Sequence, residues 1–83
     1  MSHFVYILRC ADGMLYTGST NNVRRRLAEH NTSKRGARYT RGRRPVLLIR
    51  VERFRTLGAA RRREQEIKCW WRGKKLVLIK EKA

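Results

Sequence analysis

The chain has 83 residues, of which 41% are hydrophobic, and this suits one small domain spanning residues 1–83 with a modest core. Its 22 lysines and arginines outnumber six acidic residues, which gives a net charge of +16 and a surface that attracts polyanions. No apolar run is long enough for a membrane span or a signal peptide, so we expect a cytoplasmic protein rather than a membrane or secreted one.

The first predicted elements form a β-hairpin. Residues 3–10, HFVYILRC, are rich in aromatic and β-branched side chains and predict a strand that is covered on both faces. Asp12 and Gly13 are a typical hairpin-turn pair, and residues 14–19, MLYTGS, predict a second strand. The two strands are therefore expected to pair antiparallel.

A helix, a basic loop and a third strand are predicted next. The polar residues at 20–22 can cap a helix that runs to about His30. Residues 31–45 predict a polar, basic loop. Residues 46–54, VLLIRVERF, predict the third strand of the sheet.

The last third of the chain is predicted to be mainly helical. Thr56 is a suitable N-cap for a helix that Gly73 interrupts. Residues 74–83, KKLVLIKEKA, predict a short final helix, although KLVLIK could equally pair as a strand. The predicted fold is an α+β domain in which helices flank a small three-stranded antiparallel sheet, in the order β-β-α-β-α-α.

Cysteine and histidine spacing predicts no metal site of the zinc type. Cys10 and Cys69 do not form a CxxC pair, and His3 and His30 lie far apart in the chain. A disulfide between the two cysteines stays open as an alternative, but reduced, partly buried thiols suit a cytoplasmic protein better.

Arginine clusters indicate nucleic acid as the partner. Arginine runs lie at 24–26, 41–44 and 61–63, and the planar guanidinium fork suits phosphate. An acidic membrane surface is the competing partner, but no segment has the amphipathic, tryptophan-anchored pattern that membrane binding uses. The candidates for contact with a nucleic-acid backbone are Arg24, Arg25, Arg41, Arg43, Arg44 and Lys68, the last of which is equally explained as a solvated lysine.

Several polar side chains are predicted to converge near the hairpin. Side chains alternate along a strand, so Tyr6 and Tyr16 share a face if the register brings them to the same side. Arg26 and His30 are four residues apart and share one face of the predicted helix. Taken singly, the tyrosines are explained as core aromatics and the arginine as a side chain that covers the edge of the core.

Glu64 lies where an apolar residue is expected. Leu57, Ala60, Ile67 and Trp71 follow the spacing of a buried helical stripe, and Glu64 occupies the missing position. A partly buried carboxylate needs a partner to offset its desolvation. Two explanations stay open: an ion pair, for example with an arginine of the first helix, or a ligand for a divalent metal such as Mg²⁺.

Together these motifs resemble the GIY-YIG nuclease superfamily over nearly the whole chain. Phe-Val-Tyr, which ends at Tyr6, and Tyr-Thr-Gly, which starts at Tyr16, are similar to its two paired motifs, and Arg26 and His30 follow on the next helix. Glu64, in the pattern AxxxExxIK, is similar to the family's metal ligand. The segment GARYTRGRRP resembles the short, single-domain bacterial branch of the superfamily.

The resemblance implies a metal-dependent endonuclease that hydrolyses DNA, with single-stranded, branched or damaged DNA as possible substrates. It implies one Mg²⁺ or Mn²⁺ ion at Glu64 and no small-molecule cofactor. Tyr6 or Tyr16 would position and deprotonate the attacking water, directly or through His30. Arg26 would stabilise the charge that develops on the phosphate.

Two other hypotheses fit part of the sequence. A non-catalytic nucleic-acid-binding module that keeps the same fold needs only the basic surface, and it leaves Glu64 as a structural ion pair. A ribosome- or RNA-associated basic protein fits the charge but leaves the tyrosine, arginine and glutamate arrangement without an explanation. The oligomeric state and the choice between DNA and RNA stay open.

Overall fold

The fold is an α+β domain with one three-stranded antiparallel sheet, as predicted. The structure, a computed structural model, describes residues 2–32 and 38–80. Within that part of the chain, no helix is long and apolar enough to cross a membrane. In chain order the elements are β1 (His3–Arg9), β2 (Leu15–Thr20), α1 (Val23–Thr32), α2 (Arg38–Arg41), β3 (Leu47–Phe54), α3 (Leu57–Lys68) and α4 (Arg72–Lys80).

The hairpin between β1 and β2 forms at the predicted turn. Gly13 has a φ of 85°, a conformation that glycine adopts without steric cost, and the backbone N–H of Met14 donates to Asp12 Oδ1 at 3.0 Å. The two strands pair antiparallel, with Phe4 opposite Thr20 at one end and Arg9 opposite Leu15 next to the turn. The predicted hairpin is therefore confirmed.

β1 is the central strand, because β3 pairs antiparallel with its other edge and gives the order β2-β1-β3. Its four middle residues, from Val5 to Leu8, are each at most 2% exposed. A strand buried on both faces explains the nearly continuous apolar run in this part of the sequence. β2 and β3 are left as the two edges of the sheet.

The two faces of β1 contact different cores. Val5 and Ile7 pack with residues of α3 and α4, namely Ala60, Ile67 and Leu78. The alternate residues Tyr6, Leu8 and Cys10 form a second cluster, with Val46, Leu27 and Tyr16. The sheet therefore separates an α3 side from an α1 side, and this division determines how the candidate site is built.

The helices differ from the prediction in three respects: the end of α1, an additional short helix, and the end of α3. α1 runs to Thr32, and the short helix α2 lies in the segment that was predicted as a loop. α3 ends at Lys68 before Gly73, which instead lies inside α4. KLVLIK is helical as far as Lys80, so the strand alternative was wrong. The parts of these predictions at residues 33–37 and 81–83 lie outside the described residues.

The predicted buried stripe of α3 is correct only in its middle. Ala60 and Ile67 are buried, whereas Leu57 is 44% and Trp71 is 74% exposed. Trp71 follows the end of α3, so helical spacing no longer governs where its side chain lies, and Trp70 packs against the core instead. The N-cap of α3 is as predicted, because Thr56 accepts a hydrogen bond from the backbone N–H of Ala59.

Both cysteines are free thiols. Cys10 is buried and Cys69 is exposed. The disulfide alternative was therefore wrong, and reduced thiols are the form present. Burial, followed by the charge of Asp12, raises the pKa of Cys10 above its ordinary value, which favours the protonated thiol.

Candidate active site

Three buried side chains form a continuous hydrogen-bonded chain on the α1 side of the sheet. The Tyr6 phenol oxygen lies 2.8 Å from Nε2 of His30, in the last turn of α1. Nδ1 of His30 lies 2.8 Å from Oγ1 of Thr40, in α2. His30 and Thr40 are 0% exposed and Tyr6 is 2% exposed. His30 is therefore closed off from solvent, with the Tyr6 phenol on one side of its ring and Thr40 on the other.

His30 is neutral at physiological pH. Burial, and then the positive charge of Arg26, lowers its pKa to about 4. A neutral imidazole has one N–H donor and one acceptor nitrogen. Because Arg26 also hydrogen-bonds to Tyr6, we assign the Tyr6 proton to a bond with Nε2 and the Nδ1–H to a bond with Thr40.

Acidification from pH 7 to pH 5 is expected to destabilise the protein through His30. The unfolded histidine has a pKa of about 6.5, whereas the buried one has a pKa of about 4. Only the unfolded state gains a proton in this interval. The contribution of neutral His30 to the free energy of unfolding is therefore present above about pH 6.5 and is lost as the pH falls toward 4. The expected loss between pH 7 and pH 5 is roughly 2 kcal/mol. Urea unfolding of wild type and His30→Gln at both pH values measures the loss. The variant should be less stable at pH 7 and much less sensitive to acid; equal acid sensitivity would contradict the assignment.

The two tyrosines differ in exposure and in chemistry. Burial, followed by the neighbouring Tyr16, raises the pKa of Tyr6 to about 12 and outweighs the opposite effect of Arg26. Tyr6 therefore keeps its proton at neutral pH and can donate it in the hydrogen bond to His30. Tyr16 is only partly buried, and its ring centroid lies 6.4 Å from that of Tyr6 and 5.1 Å from that of His30. Tyr16 is the tyrosine of this cluster that reaches solvent.

Gly18 makes the close approach of the tyrosines possible. It is paired with Tyr6 across the β1–β2 ladder. A Cβ atom at this position would lie 2.5 Å from the Tyr6 phenol oxygen, 2.7 Å from its Cζ and 3.1 Å from Cε2 of Tyr16. The Tyr6 ring therefore crosses directly over the backbone of β2, which only a residue without a side chain allows.

Arg26 brings a positive charge to both phenols. Its side chain is 26% exposed and pairs with Glu29 at 3.1 Å. Burial lowers the pKa of Arg26, but hydrogen bonds to Glu29 and Tyr6 and the interaction with Tyr16 raise it above its ordinary value on balance. The guanidinium group is held by the acid of its own helix and faces the tyrosine cluster.

Glu64 is held by two partners on the other side of the sheet. Its side chain is 14% exposed and pairs with Lys68 Nζ at 2.6 Å. Ser19 Oγ donates to its other carboxylate oxygen at 2.7 Å. Burial raises the pKa of Glu64, but Lys68 and Ser19 lower it below the ordinary value on balance, so the carboxylate is ionised. The expected partner from the first helix was wrong, since the cation comes from the next turn of α3.

Glu64 and the tyrosines approach the edge strand β2 from opposite sides. Gly18 and Ser19 are adjacent on β2 and therefore face opposite ways, toward Tyr6 and Glu64 respectively. The charge of Glu64 still contributes to the raised pKa of Tyr6, so the two groups interact across the strand. Because β2 is an edge strand of the sheet, one phosphate at that edge could meet groups from both sides.

The donor set at Glu64 fits a single hard divalent cation. Across residues 2–32 and 38–80, no three His, Cys, Asp or Glu side chains cluster together, so a site with many protein ligands is absent there. Glu64 nevertheless offers an ionised carboxylate that already accepts a cation, the ammonium group of Lys68. Mg²⁺ commonly uses one or two carboxylates, with water and substrate phosphate completing its coordination.

The predicted phosphate-contacting residues fall into two groups. Arg43 and Arg44 have partners within the fold: Arg43 pairs with Asp12 at 2.9 Å, and Arg44 donates to the backbone carbonyl of His30. Lys68 is engaged by Glu64. The remaining predicted contacts, Arg24, Arg25 and Arg41, are exposed, and Arg25 also donates to Asn21 Oδ1 at 3.2 Å.

Two residues that support the site, Ser19 and Thr40, were not predicted from the sequence. Ser19 orients Glu64, and its position one residue after the Tyr-Thr-Gly motif, on the opposite face of the strand, was the available signal. Thr40 bonds to His30 from a helix of four residues inside a basic segment. No periodicity marks so short a helix, so the sequence held no comparable signal for Thr40.

Comparisons with known proteins identify the family of the chain. Residues 2–76 match the family of the GIY-YIG catalytic domain. A UPF0213 protein of Natronomonas pharaonis is 54% identical, and the match covers 98% of this chain and 94% of the relative. A UPF0213 protein of Staphylococcus aureus is 52% identical, with 98% of each chain covered.

A solved structure shares the fold. The solution NMR structure of a UPF0213 protein from Bacillus halodurans superposes with a TM-score of 0.62 at 47% identity, covering 95% of this chain and 83% of that one. The chain has two tyrosine motifs on paired strands, an arginine and a histidine on α1, and a carboxylate on α3. The chain belongs to the GIY-YIG catalytic-domain family of nucleases, among its small UPF0213 members.

Proposed function

We propose that this protein is a divalent-metal-dependent endonuclease that hydrolyses phosphodiester bonds of DNA. One observation carries the proposal: a tyrosine–arginine cluster and an ionised, cation-binding carboxylate flank the same edge strand, β2, with only that strand between them. Membership in a nuclease family and a net charge of +16 both support a nucleic-acid substrate.

Tyr16 is the proposed base in this reaction. It is the more exposed tyrosine, so a water at the scissile phosphate can reach its phenol oxygen, and Arg26 interacts with the same phenol. The water oxygen forms a bond to phosphorus as the bond to the leaving oxygen breaks. Tyr6, fixed by His30 and Gly18, holds the Tyr16 ring in place from the buried side.

The charge on the phosphate is balanced from both sides of β2. Arg26 stabilises the negative charge that develops on the phosphate oxygens. Glu64 would hold a divalent metal ion, with Ser19 orienting the carboxylate. Such an ion would supply Lewis-acid stabilisation of the negative charge that develops in the reaction. Lys68, which pairs with Glu64, is then available to contact the substrate backbone.

A second candidate function is a non-catalytic nucleic-acid-binding module. The observation in its favour is that Lys68 and Ser19 already satisfy the Glu64 carboxylate without a metal ion. In that case Glu64 has a purely structural role. The nuclease predicts that the purified protein cuts DNA, whereas the binding module predicts that it binds DNA and leaves it intact.

The test is incubation of wild-type protein with labelled single-stranded, double-stranded and branched DNA, and with RNA, in Mg²⁺, Mn²⁺ or EDTA. We expect cutting of DNA in either metal and none in EDTA. Folded protein that binds DNA tightly and leaves it intact under every condition would favour the binding module instead.

The two tyrosines are expected to respond differently to loss of the hydroxyl group. Tyr16→Phe should slow cutting by roughly 10²–10⁴-fold, the range for a general base, with little change in stability. Tyr6→Phe should cost about 1–3 kcal/mol of stability, because it leaves buried Nε2 of His30 without its donor. Cutting rates and urea unfolding of both variants measure this. Normal cutting by Tyr16→Phe, with cutting abolished in a stable Tyr6→Phe, would reverse the assignment.

A further inference from the structure

Two clefts lie at the end of the sheet where β1 begins. The first, here the β2 cleft, is lined by His3, Ser19, Thr20, Asn21, Leu57, Ala60 and Arg61. The second, here the β3 cleft, is lined by Ser2, Arg53, Phe54 and Arg55. The strand register places them side by side, because Phe4 is paired with Thr20 on one edge and His3 with Phe54 on the other.

The β2 cleft adjoins the carboxylate proposed to hold the metal. Ser19 lines this cleft and donates the 2.7 Å hydrogen bond to Glu64. Arg61 also lines it, and its charge helps to lower the pKa of Glu64. A ligand in the β2 cleft would therefore lie directly beside the candidate active site.

The charge in both clefts suits an anionic ligand. Arg53, Arg55 and Arg61 are exposed, and no acidic residue lines either cleft among the described residues. The twelve-residue helix α3 also begins at the β2 cleft, with its positive end at Leu57. None of these three arginines is among the residues predicted from the sequence to contact a nucleic-acid backbone.

We propose that the two clefts form one groove for a single strand of nucleic acid that extends from the scissile phosphate. This inference rests on the proposed function for its location beside Glu64. The arginines would contact phosphates, and the apolar surface of Leu57 and Phe54 would contact unstacked bases, which a duplex does not expose. Strands are spaced about 4.8 Å apart, so the groove spans roughly 10 Å from β2 to β3.

The test compares two double variants that remove the same charge. Arg55→Gln/Arg61→Gln takes one arginine from each cleft. Arg9→Gln/Lys80→Gln removes two exposed charges from the last residues of β1 and α4. Binding of a labelled single-stranded oligonucleotide and of a DNA duplex is followed by fluorescence anisotropy in EDTA at several salt concentrations, so no cutting occurs.

We expect Arg55→Gln/Arg61→Gln, the groove variant, to bind the single strand at least tenfold more weakly than wild type. Arg9→Gln/Lys80→Gln, the control variant, should bind it less than threefold more weakly. For the groove variant, the slope of the logarithm of the binding constant against the logarithm of salt concentration should be shallower by about 1.4. This corresponds to two lost phosphate contacts at about 0.7 each on a single strand. Leu57→Ser should weaken single-strand binding several-fold and leave duplex binding unchanged. Equal losses in the two double variants would overturn the groove and indicate an effect of net charge alone.

The proposed function and the groove can fail separately. If wild type cuts DNA but the two double variants bind equally well, the groove is wrong and the nuclease stands. If the groove variant loses single-strand binding but wild type never cuts, the groove stands as part of a binding module. Thermal unfolding of each variant shows whether a loss of binding reflects a loss of fold.

Discussion

Gly18→Ala is expected to destabilise the protein by about 1–3 kcal/mol and to slow DNA cutting by roughly 10²-fold. The added methyl group would lie 2.5 Å from the Tyr6 phenol oxygen and 2.7 Å from Cζ of the same ring. A ring that is 2% exposed has little room to move, so the contact must be relieved by shifting β2 or by turning Tyr6 away from His30. Either change disrupts the tyrosine cluster.

The matched control for this prediction is Gly58→Ala. Gly58 lies in the first turn of α3, and a methyl group there would lie 3.6 Å from Nη1 of Arg62, the far end of a flexible side chain. Alanine is a better helix former than glycine, by about 0.5–1 kcal/mol. Gly58→Ala should therefore be as stable as wild type or more so, with full activity. Wild-type stability and cutting in Gly18→Ala would show that Tyr6 does not lie over β2.

The sheet was predictable because its signals are local. A turn pair flanked by two apolar runs specifies a hairpin, and a strand that is apolar on both faces belongs at the centre of a sheet. The structure confirms both, with Gly13 in the left-handed region and Val5 to Leu8 buried. The α+β order β-β-α-β-α-α followed from these elements and is confirmed, with the short α2 as an addition.

The end of α3 was not predictable from helical spacing alone. The apolar pattern continues through Trp71, but the helix stops at Lys68, with Cys69 as its C-cap. The chain then turns so that Trp70, rather than Trp71, packs on the core and lies against the cations of Arg63 and Lys74. These contacts of Trp70 with the core and with one cation from each helix favour the turn, and a periodic pattern carries no information about them.

The candidate site was predicted in composition but not in arrangement. The sequence indicated Tyr6, Tyr16, Arg26, His30 and Glu64, and their roles in cutting stay predictions. It did not indicate that His30 is fully buried or that Glu64 approaches β2 from the side opposite the tyrosines. Both facts depend on side-chain contacts between elements distant in the chain, which spacing within one element does not report.

Glu64→Gln is expected to reduce cutting by roughly 10³-fold or more, the upper range for loss of one electrostatic group at a reacting centre. The amide keeps the shape of the side chain and can still accept from Ser19, but it loses the charge that holds a divalent ion. The ion pair with Lys68 is partly exposed, so its loss should cost at most about 1 kcal/mol of stability. DNA binding in EDTA should change little.

Glu66→Gln is the matched control, because it removes the same charge from the same helix. Glu66 is 55% exposed and pairs with Arg63, away from β2. Its amide variant should fold, bind and cut as wild type does. Any general effect of one fewer negative charge on DNA binding would appear equally in both variants.

The most direct measurement is the single-turnover cutting rate of labelled single-stranded DNA by wild type, Glu64→Gln and Glu66→Gln, in Mg²⁺ and in EDTA. We predict that wild type and Glu66→Gln cut in Mg²⁺ alone, whereas folded, DNA-bound Glu64→Gln does not cut. Cutting by Glu64→Gln at the wild-type rate, or undiminished cutting by wild type in EDTA, would contradict a metal-dependent nuclease with Glu64 at its centre.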